Sequence, residues 1–285
     1  MRAIAEFAMR GRSQALMLSI GGITLPGLSW FGAAVVSLVT LRRGWHEGLP
    51  LVLWAALPAA GWLIMVSEPA PLMLLLGAAV LAYVLRMTTS WSHVLGVAVV
   101  LGLPTSWLFE LTSAGLIDQV IAFFIEVSEQ SGNQPISLEG DNRLVLERLL
   151  VGLFTAGQLS VMLAAVILAR WWQSALYNPG GFGEEFRGLR LLPGLTAALI
   201  LLMVLCYASR NPYLSTWTLV LVVPFLVSSI ALVHWTVASR KLGGNWLVVF
   251  YLLMLFFMQF ILPILVILAV ADSWVDLRKR IGEHE

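Results

Sequence analysis

Apolar runs follow one another along this chain from Gln14 to Ala271, with only short breaks between them. The hydrocarbon core of a bilayer is about 30 Å thick, so a helix that crosses it needs roughly 20 mostly apolar residues. The segments 190–208, 214–238 and 245–271 meet or approach this length, and none carries a charge in its middle. Only 12% of the residues are charged, against about 25% in ordinary soluble domains. The sequence therefore predicts an all-α, polytopic membrane protein.

The apolar runs divide the chain into about eight or nine transmembrane segments, which we expect to form one integral membrane domain over residues 1–285. They lie at about 14–25, 27–41, 49–66, 70–86, 91–109, 145–172, 190–208, 214–238 and 245–271. The first two are short and are separated by Pro26, so they predict either a hairpin of short helices or one long kinked span. Pro263 predicts a bend in the last segment.

The basic residues of the short loops are distributed unevenly. Most lie in alternate loops, at Arg42, Arg43, Arg86, Arg170, Arg187, Arg190, Arg240 and Lys241. The intervening loops contain only Arg143 and Arg210. Because Lys and Arg accumulate in cytoplasmic loops, the first set is predicted to be cytoplasmic and the acidic loop 110–144 to face outward.

The two termini are also basic, which conflicts with nine complete crossings, because an odd number would place them on opposite sides of the membrane. Three solutions remain open: the first pair of segments is one bent span, the last segment turns back, or one terminus disobeys the charge rule. We expect a cytoplasmic N-terminus and leave the side of the C-terminus open.

The outward loop 110–144 contains an amphipathic stretch that predicts a helix. Its apolar residues recur at helical spacing, at Leu116, Ile117, Val120, Ile121 and Phe124. Such a helix either lies in the membrane interface or covers a cavity as a lid.

The cytoplasmic loop 173–189 is rich in glycine. It contains the turn sequence Asn178-Pro179-Gly180-Gly181, followed by a short amphipathic piece. It lacks the lysine and the hydroxyl residue of a phosphate-binding P-loop. We therefore predict a contact surface for a partner protein, formed by Gly180, Gly181, Phe182, Gly183, Glu184 and Arg187.

Polar residues within or beside membrane spans are candidates for a ligand site. The candidates are Glu110, Glu147, Arg148, Gln158 and Gln259. Glu147 and Arg148 are expected to satisfy each other near the interface. Gln158 and Gln259 either line a substrate cavity or form hydrogen bonds between helices, and the second role is the expected one.

Several classes of function are excluded by motifs that the sequence lacks. It contains no zinc-protease motif, no paired intramembrane aspartates and no nucleophile elbow. It has no Walker motif, so it cannot energise transport with ATP by itself. We predict no catalytic residue, no metal and no cofactor, and the scattered basic residues argue against nucleic-acid binding.

Four features of the chain resemble the YybS-like family of bacterial inner-membrane proteins, a domain of unknown function. They are the opening pair of segments ending in Leu41-Arg42-Arg43-Gly44, the glycine loop Gly180–Arg187, the order of spans, and the ending Ala271–Lys279. The family looks distantly similar to the S components of energy-coupling-factor vitamin transporters. The resemblance implies a bacterial inner membrane and a helical bundle with a ligand cavity near its outer face. It also implies an ATPase partner, but it carries over no ligand-binding residue.

We therefore predict a substrate-binding or transport-related membrane protein without its own energy source, whose surroundings are the lipid bilayer and whose ligand is a small molecule. Its cavity would lie on the outward side, and a cytoplasmic or membrane partner protein would supply the energy. One alternative is a scaffold or assembly factor that binds other membrane proteins. Another is a membrane enzyme that acts on lipid-linked substrates through Glu110, Glu147 and Arg148.

Overall fold

A computed structural model describes residues 2–130 and 140–282, and the regular elements within these ranges are all helices. They are α1 (Arg2–Arg10), α2 (Arg12–Thr24), α3 (Ser29–Arg43), α4 (Trp45–Val66), α5 (Ala70–Thr88), α6 (Trp91–Thr112), α7 (Ala114–Gln130), α8 (Asp141–Tyr177), α9 (Gly181–Arg187), α10 (Pro193–Ala208), α11 (Pro212–Ser239), α12 (Asn245–Val275) and α13 (Leu277–Gly282). Each predicted apolar segment coincides with one of α2–α6, α8 and α10–α12.

Six of these helices are long and apolar enough to cross a membrane, namely α4, α5, α6, α8, α11 and α12. The other three helices at predicted segments are shorter, with 13 residues in α2, 15 in α3 and 16 in α10. Over the described residues the protein is thus all-helical with six candidate membrane spans, as expected for a multi-pass membrane protein.

Helices α2 and α3 form a hairpin around Gly27, which has a φ of +76°. Their backbones approach closely because Gly22 faces Gly32: a Cβ atom added at Gly22 would lie 2.7 Å from the backbone nitrogen of Gly32. At the open end of the hairpin, Arg43 donates a hydrogen bond to the carbonyl of Met9 at 2.7 Å. Of the two alternatives for the first pair of segments, the structure shows the hairpin of short helices.

Helix α3 is the central element of the bundle. Every residue from Gly32 to Leu41 is buried, and the helix packs against α2, α4, α5 and α8. A helix enclosed by protein on all sides does not contact lipid, so its length need not match the thickness of the hydrocarbon core. This explains how α3 can be both apolar all round and short.

The largest helix–helix contact joins α8 to α11. Gly152 of α8 lies against the backbone of Thr216, and a Cβ at Gly152 would be 2.6 Å from its carbonyl oxygen. The hydroxyl of Thr216 donates to the carbonyl of Arg148 at 3.1 Å. Small residues thus allow the close approach that predominates in helix contacts within membranes.

Helix α12 turns back on itself. Phe257 interrupts it with non-helical dihedrals of φ −125° and ψ 28°. Trp246 and Leu253 before the break line the same cavity as Leu268 and Leu277 after it. A straight helix of this length would hold its ends about 45 Å apart, so α12 folds back and its two ends lie at the same end of the bundle. The bend that was expected at Pro263 lies at Phe257.

The helix ends fall into two groups, which we call the basic end and the opposite end. The basic end holds α1, α9, α13 and both ends of α12. Contacts at this end include the hydrogen bond from Arg43 to the carbonyl of Met9 in α1 and the one from Arg278 of α13 to the carbonyl of Arg187 in α9. The opposite end contains the α2–α3 turn, where Trp62 donates to the carbonyl of Ile23 at 3.0 Å, together with α7. Of the three alternatives for the basic termini, the course of α12 agrees with a last segment that turns back, and the side of the membrane on which each terminus lies stays a prediction.

Candidate functional site

Helix α9 is fixed to the basic end of the bundle by Glu185. The carboxylate of Glu185 accepts a hydrogen bond from the indole Nε1 of Trp91 at 2.8 Å. It also pairs with the guanidinium of Arg170, whose Nη2 lies 2.7 Å from Oε2. Charge-assisted, multidentate contacts of this kind are the stronger hydrogen bonds of proteins, so α9 is an integral part of the bundle.

The predicted partner-contact residues lie in and just before α9. Gly180 has a φ of +90°, which favours glycine. The ring of Phe182 stacks on that of Phe186 with centroids 5.6 Å apart, and both pack against the core. Glu184 is exposed, and Arg187 is half-buried. The contact with a partner protein stays a prediction for this surface.

The connection from α9 to α10 is held by side chains from two other parts of the bundle. Arg278 donates to the carbonyl of Leu189 at 2.5 Å and to that of Arg187. Ser273 donates to the carbonyl of Leu191 at 3.1 Å. The hydroxyl of Ser92 accepts from the backbone N–H of Leu192 at 2.9 Å. These bonds replace the helical partners that the backbone lacks here.

One ion pair joins α12 to α13, and a second joins the residue between these helices to the α9–α10 connection. Asp272 is fully buried, and its Oδ2 lies 3.1 Å from Nη2 of Arg278. Arg190 contacts Asp276 at 2.6 Å. Partial desolvation is the largest single effect on Asp276 and opposes its ionisation, but the hydrogen bonds from Arg190 and from the backbone N–H of Lys279, together with the charges of Arg190 and Lys279, outweigh it and lower the pKa of that carboxyl. Burial lowers the pKa of Arg278, yet an arginine stays protonated at neutral pH.

A charged cavity of about 590 Å³ opens beside these ion pairs. It is lined by Glu184, Arg187, Gly188, Arg190, Trp235, Asp276 and Arg278. Arg190 and Arg278 each have an acidic partner, whereas the guanidinium of Arg187 forms no ion pair with any residue that the structure describes. Arg187 is therefore the cation of this cavity that is available to an outside anion.

An apolar groove of about 440 Å³ adjoins the charged cavity. It runs between α11 and the two arms of α12, and is lined by Leu232, Val233, Thr236, Val237, Leu242, Trp246, Val249, Phe250, Leu253, Leu268 and Leu277. The two spaces have no lining residue in common, but consecutive residues line them: Trp235 and Thr236 on α11, and Leu277 between Asp276 and Arg278. Charged and apolar surfaces thus lie close together at the basic end.

The residues His234, Tyr251 and Phe186 link α9 to the first arm of α12. Nε2 of His234 lies 2.9 Å from the hydroxyl of Tyr251, and the ring of Phe186 meets the imidazole edge-on at 5.4 Å. A second apolar cavity of about 360 Å³ lies on this side of α11. The first arm of α12 is thereby held beside α9.

Three of the predicted ligand residues lie at the opposite end and are engaged in ion pairs. Arg148 pairs with Glu110 at 2.7 Å, and Glu147 pairs with Arg143 at 2.8 Å. The expectation that Glu147 and Arg148 satisfy each other is therefore wrong. Arg148 also lies over the ring of Tyr213, 4.2 Å from its centroid.

The two predicted glutamines are far apart. Gln158 donates to the carbonyl of Ala70 at 2.7 Å and so forms the expected hydrogen bond between helices. Gln259 lies exposed near the reversal of α12. The structure therefore does not gather the five candidates into one site, and the three cavities described above are lined by none of them.

Within loop 110–144, the amphipathic stretch forms α7. Its Ile117 and Ile121 pack against Val151 of α8, and Asp118 pairs with Arg143 at 2.6 Å. Phe123 and Phe124 point away from the bundle and are exposed. Residues 131–139 of this loop lie outside the described residues. The two expected roles of this helix, an interfacial helix and a lid, stay predictions.

Several residues of the basic-end site were not singled out from the sequence, namely Glu185, Arg190, Trp235, Asp272, Asp276 and Arg278. One signal was present: the chain closes on an acidic and then a basic cluster directly after the last apolar run. Asp272 and Arg278 pair within this closing segment, whereas Asp276 pairs with Arg190 of the α9–α10 connection, to which the course of α12 brings it.

The fold and the basic-end cavities together define an all-helical, multi-pass membrane protein. No protein-family model, curated protein or solved structure matches this chain.

Proposed function

We propose that this chain is a membrane-embedded binding protein for an anionic amphiphile, which it holds at the basic end without an energy source of its own. The observation that carries the proposal is the proximity of the charged cavity and the apolar groove, which are lined by consecutive residues of α11 and of the chain at the start of α13. A ligand with a charged head and an apolar chain fits two such surfaces close together.

The head of the ligand would lie in the charged cavity. Arg187 supplies a cation that forms no ion pair with a described residue, while Arg190 and Arg278 add positive charge close by. Guanidinium groups bind carboxylates and phosphates in a bidentate manner. Trp235 supplies an amphipathic ring at the level where such rings meet lipid headgroups. An anionic head is therefore favoured over a zwitterionic one.

The chain of the ligand would lie in the apolar groove between the arms of α12. Transfer of an acyl chain into an apolar environment contributes roughly 0.8 kcal/mol per buried CH₂. Lipid tails in the bilayer offer the chain the same apolar environment. The groove therefore selects ligands only by the shape and position of their chain, and recognition of the head supplies most of the selectivity. Arg187 should therefore affect affinity more than any single groove residue.

The proposal includes an orientation in the membrane. By the distribution of Lys and Arg, the basic end faces the cytoplasm of a bacterial inner membrane. Helices α2, α3 and α10 cross together with α4, α5, α6, α8 and α11, and α12 enters from the cytoplasmic side and returns to it. Both basic termini then lie on one side, in agreement with the charge rule. Membership of the YybS-like family and likeness to S components remain part of this proposal.

Binding of phosphatidylglycerol to the purified protein, followed by native mass spectrometry, tests the proposed function. We expect Arg187→Gln to weaken binding about tenfold, the effect of losing one charge-assisted contact at a partly exposed site. Val249→Trp should weaken binding by filling the groove.

Arg280→Gln is the matched control, since Arg280 is an exposed arginine outside the cavity and its loss should leave binding unchanged. Phosphatidylcholine tests the role of the head, and inorganic phosphate separates a free anion from an amphiphile. Equal binding of both lipids, or an unchanged affinity in Arg187→Gln, would contradict the proposal.

A second function, assembly with another membrane protein, is favoured by one observation. The outer surface of α12 is apolar and has little contact with the rest of the chain, with Leu255 73% and Ile267 67% exposed. A scaffold would present such a surface to a partner helix, and the exposed Glu184 on α9 would be available to a cytoplasmic one.

A further inference from the structure

The reversal of α12 lies beside the inner part of α11, which in the proposed orientation is at the depth of the hydrocarbon core. Ser229 of α11 donates a hydrogen bond to the carbonyl of Leu265, which fixes the level of the second arm. From the rise of 1.5 Å per residue, the stretch from Ser229 to Ser239 covers about 15 Å, and Phe257 lies about 12 Å beyond Leu265. Helix α11 is about 42 Å long, so the reversal falls well inside its span.

The reversal leaves Gln259 with polar groups that the helix itself does not satisfy. Phe257, two residues earlier, has non-helical dihedrals. Pro263 has no N–H to donate to the carbonyl of Gln259, four residues earlier. The carboxamide of Gln259 is exposed and forms no hydrogen bond with a residue that the structure describes. Backbone and side chain of Gln259 thus both need a partner.

Lipid cannot provide that partner. Unsatisfied polar groups in hydrocarbon cost several kcal/mol each, and irregular backbone at this depth is tolerated only where protein or a water-filled cavity covers it. Around Gln259 the surface is aromatic, with Phe256 72%, Phe257 50% and Phe260 64% exposed. None of the cavities described above reaches Gln259. A second protein surface is therefore required.

We propose that the reversal of α12 is the interface of a two-fold homodimer, in which Gln259 of one copy hydrogen-bonds Gln259 of the other. A carboxamide has both donors and an acceptor, so it is complementary to itself across a two-fold axis. A two-fold interface uses the same patch on both subunits. The patch carries no charge that would repel its own copy. The rings of Phe256 and Phe260 surround the amide pair and exclude lipid from it.

Helix α10 provides the contrast that argues for this particular surface. It also exposes apolar side chains, including Leu201 at 58%. It has no break in the same region and no polar side chain among its exposed central residues 198–205. Lipid alone can cover it. The need for a protein neighbour is specific to the α12 reversal.

Self-association of the full chain in bilayers, measured by energy transfer between labelled copies at varied protein-to-lipid ratios, tests the interface. We expect a dimer for the wild type and about tenfold weaker association for Gln259→Leu. Gln259→Asn, which keeps a carboxamide, should weaken association less than Leu does. Leu201→Ala on α10, which changes an exposed apolar side chain without adding a polar group, is the control and should not change the association.

Disulfide crosslinking provides the second measurement, in a Cys206→Ser background that removes the native cysteine. Phe260→Cys should crosslink between copies under mild oxidation, and Leu201→Cys should not. Monomeric wild-type protein at every ratio, or crosslinking at position 201 and not at 260, would overturn the proposal. If the Gln259→Leu variant loses association but binds lipid as the wild type does, the homodimer is supported independently of the proposed function.

Discussion

Replacing Arg278 with Met is expected to lower the free energy of unfolding by about 3–5 kcal/mol. Arg278 is the cation in contact with Asp272, which is fully buried. Removing one partner of a buried ion pair leaves the other charge without compensation in a low-dielectric environment. The substitution also removes the donors that hold the carbonyls of Arg187 and Leu189.

The matched control for this prediction is Arg280→Met, because Arg280 is exposed on the same short helix. Its loss should change stability by less than about 0.5 kcal/mol. The double variant Asp272→Leu with Arg278→Met should recover part of the loss, since it removes both charges. Unfolding of the protein in detergent micelles measures all three. Equal stability of the Arg278 and Arg280 variants would mean that the buried pair does not hold this end together.

Adding a single methyl group at Gly22 or Gly152 is expected to lower the free energy of unfolding by about 1–3 kcal/mol. In Gly22→Ala the new Cβ would lie 2.7 Å from the backbone nitrogen of Gly32. In Gly152→Ala it would lie 2.6 Å from the carbonyl oxygen of Thr216. Both neighbours are backbone atoms, so a whole helix must move to relieve the overlap.

Each of these positions has a neighbouring glycine that serves as its control. Gly21 on α2 and Gly157 on α8 have no atom within 4 Å of an added Cβ. Alanine favours a helix over glycine by about 1 kcal/mol, so Gly21→Ala and Gly157→Ala should be neutral or stabilising. Thermal unfolding should therefore show a loss of stability for Gly22→Ala and Gly152→Ala. It should show no loss, or a gain, for Gly21→Ala and Gly157→Ala. A loss of stability in all four variants would show that packing at these contacts is not the cause.

The positions of the helices could be predicted from sequence because they depend on local properties. Apolar length identifies α4 to α6, and Pro26 with Gly27 marks the α2–α3 turn. The role of Gln158 was also predicted, since an amide inside a packed bundle finds a backbone carbonyl.

The course of α12 could not be predicted in the same way. Residues 245–271 are apolar and long enough to cross, so the pattern of this segment alone favours a complete span. What brings its end back is tertiary: Ser273 and Arg278 bind carbonyls of the α9–α10 connection. The basic residues at both termini were the only indication in the sequence that the last segment turns back, and they left three alternatives open.

The ion pairs of the predicted ligand residues show a second limit of prediction from sequence, and the reason for it is geometric. Glu147 and Arg148 are adjacent in sequence, but adjacent residues on a helix do not face each other. Glu147 instead reaches Arg143, one turn away, as spacing of four residues allows. Arg148 faces a different helix and meets Glu110, a contact that only the packing of α6 against α8 determines.

The most direct test of the account is the side of the membrane on which the two ends of α12 lie. In a Cys206→Ser background, single cysteines at Gly243, Lys279 and Arg210 would be labelled with a membrane-impermeant maleimide in sealed vesicles of one orientation. The structure predicts that positions 243 and 279 react from the same side and that position 210, in the α10–α11 turn, reacts from the other. Labelling of 243 and 279 from opposite sides would contradict it, because α12 would then cross the membrane and neither the groove nor the buried reversal would exist.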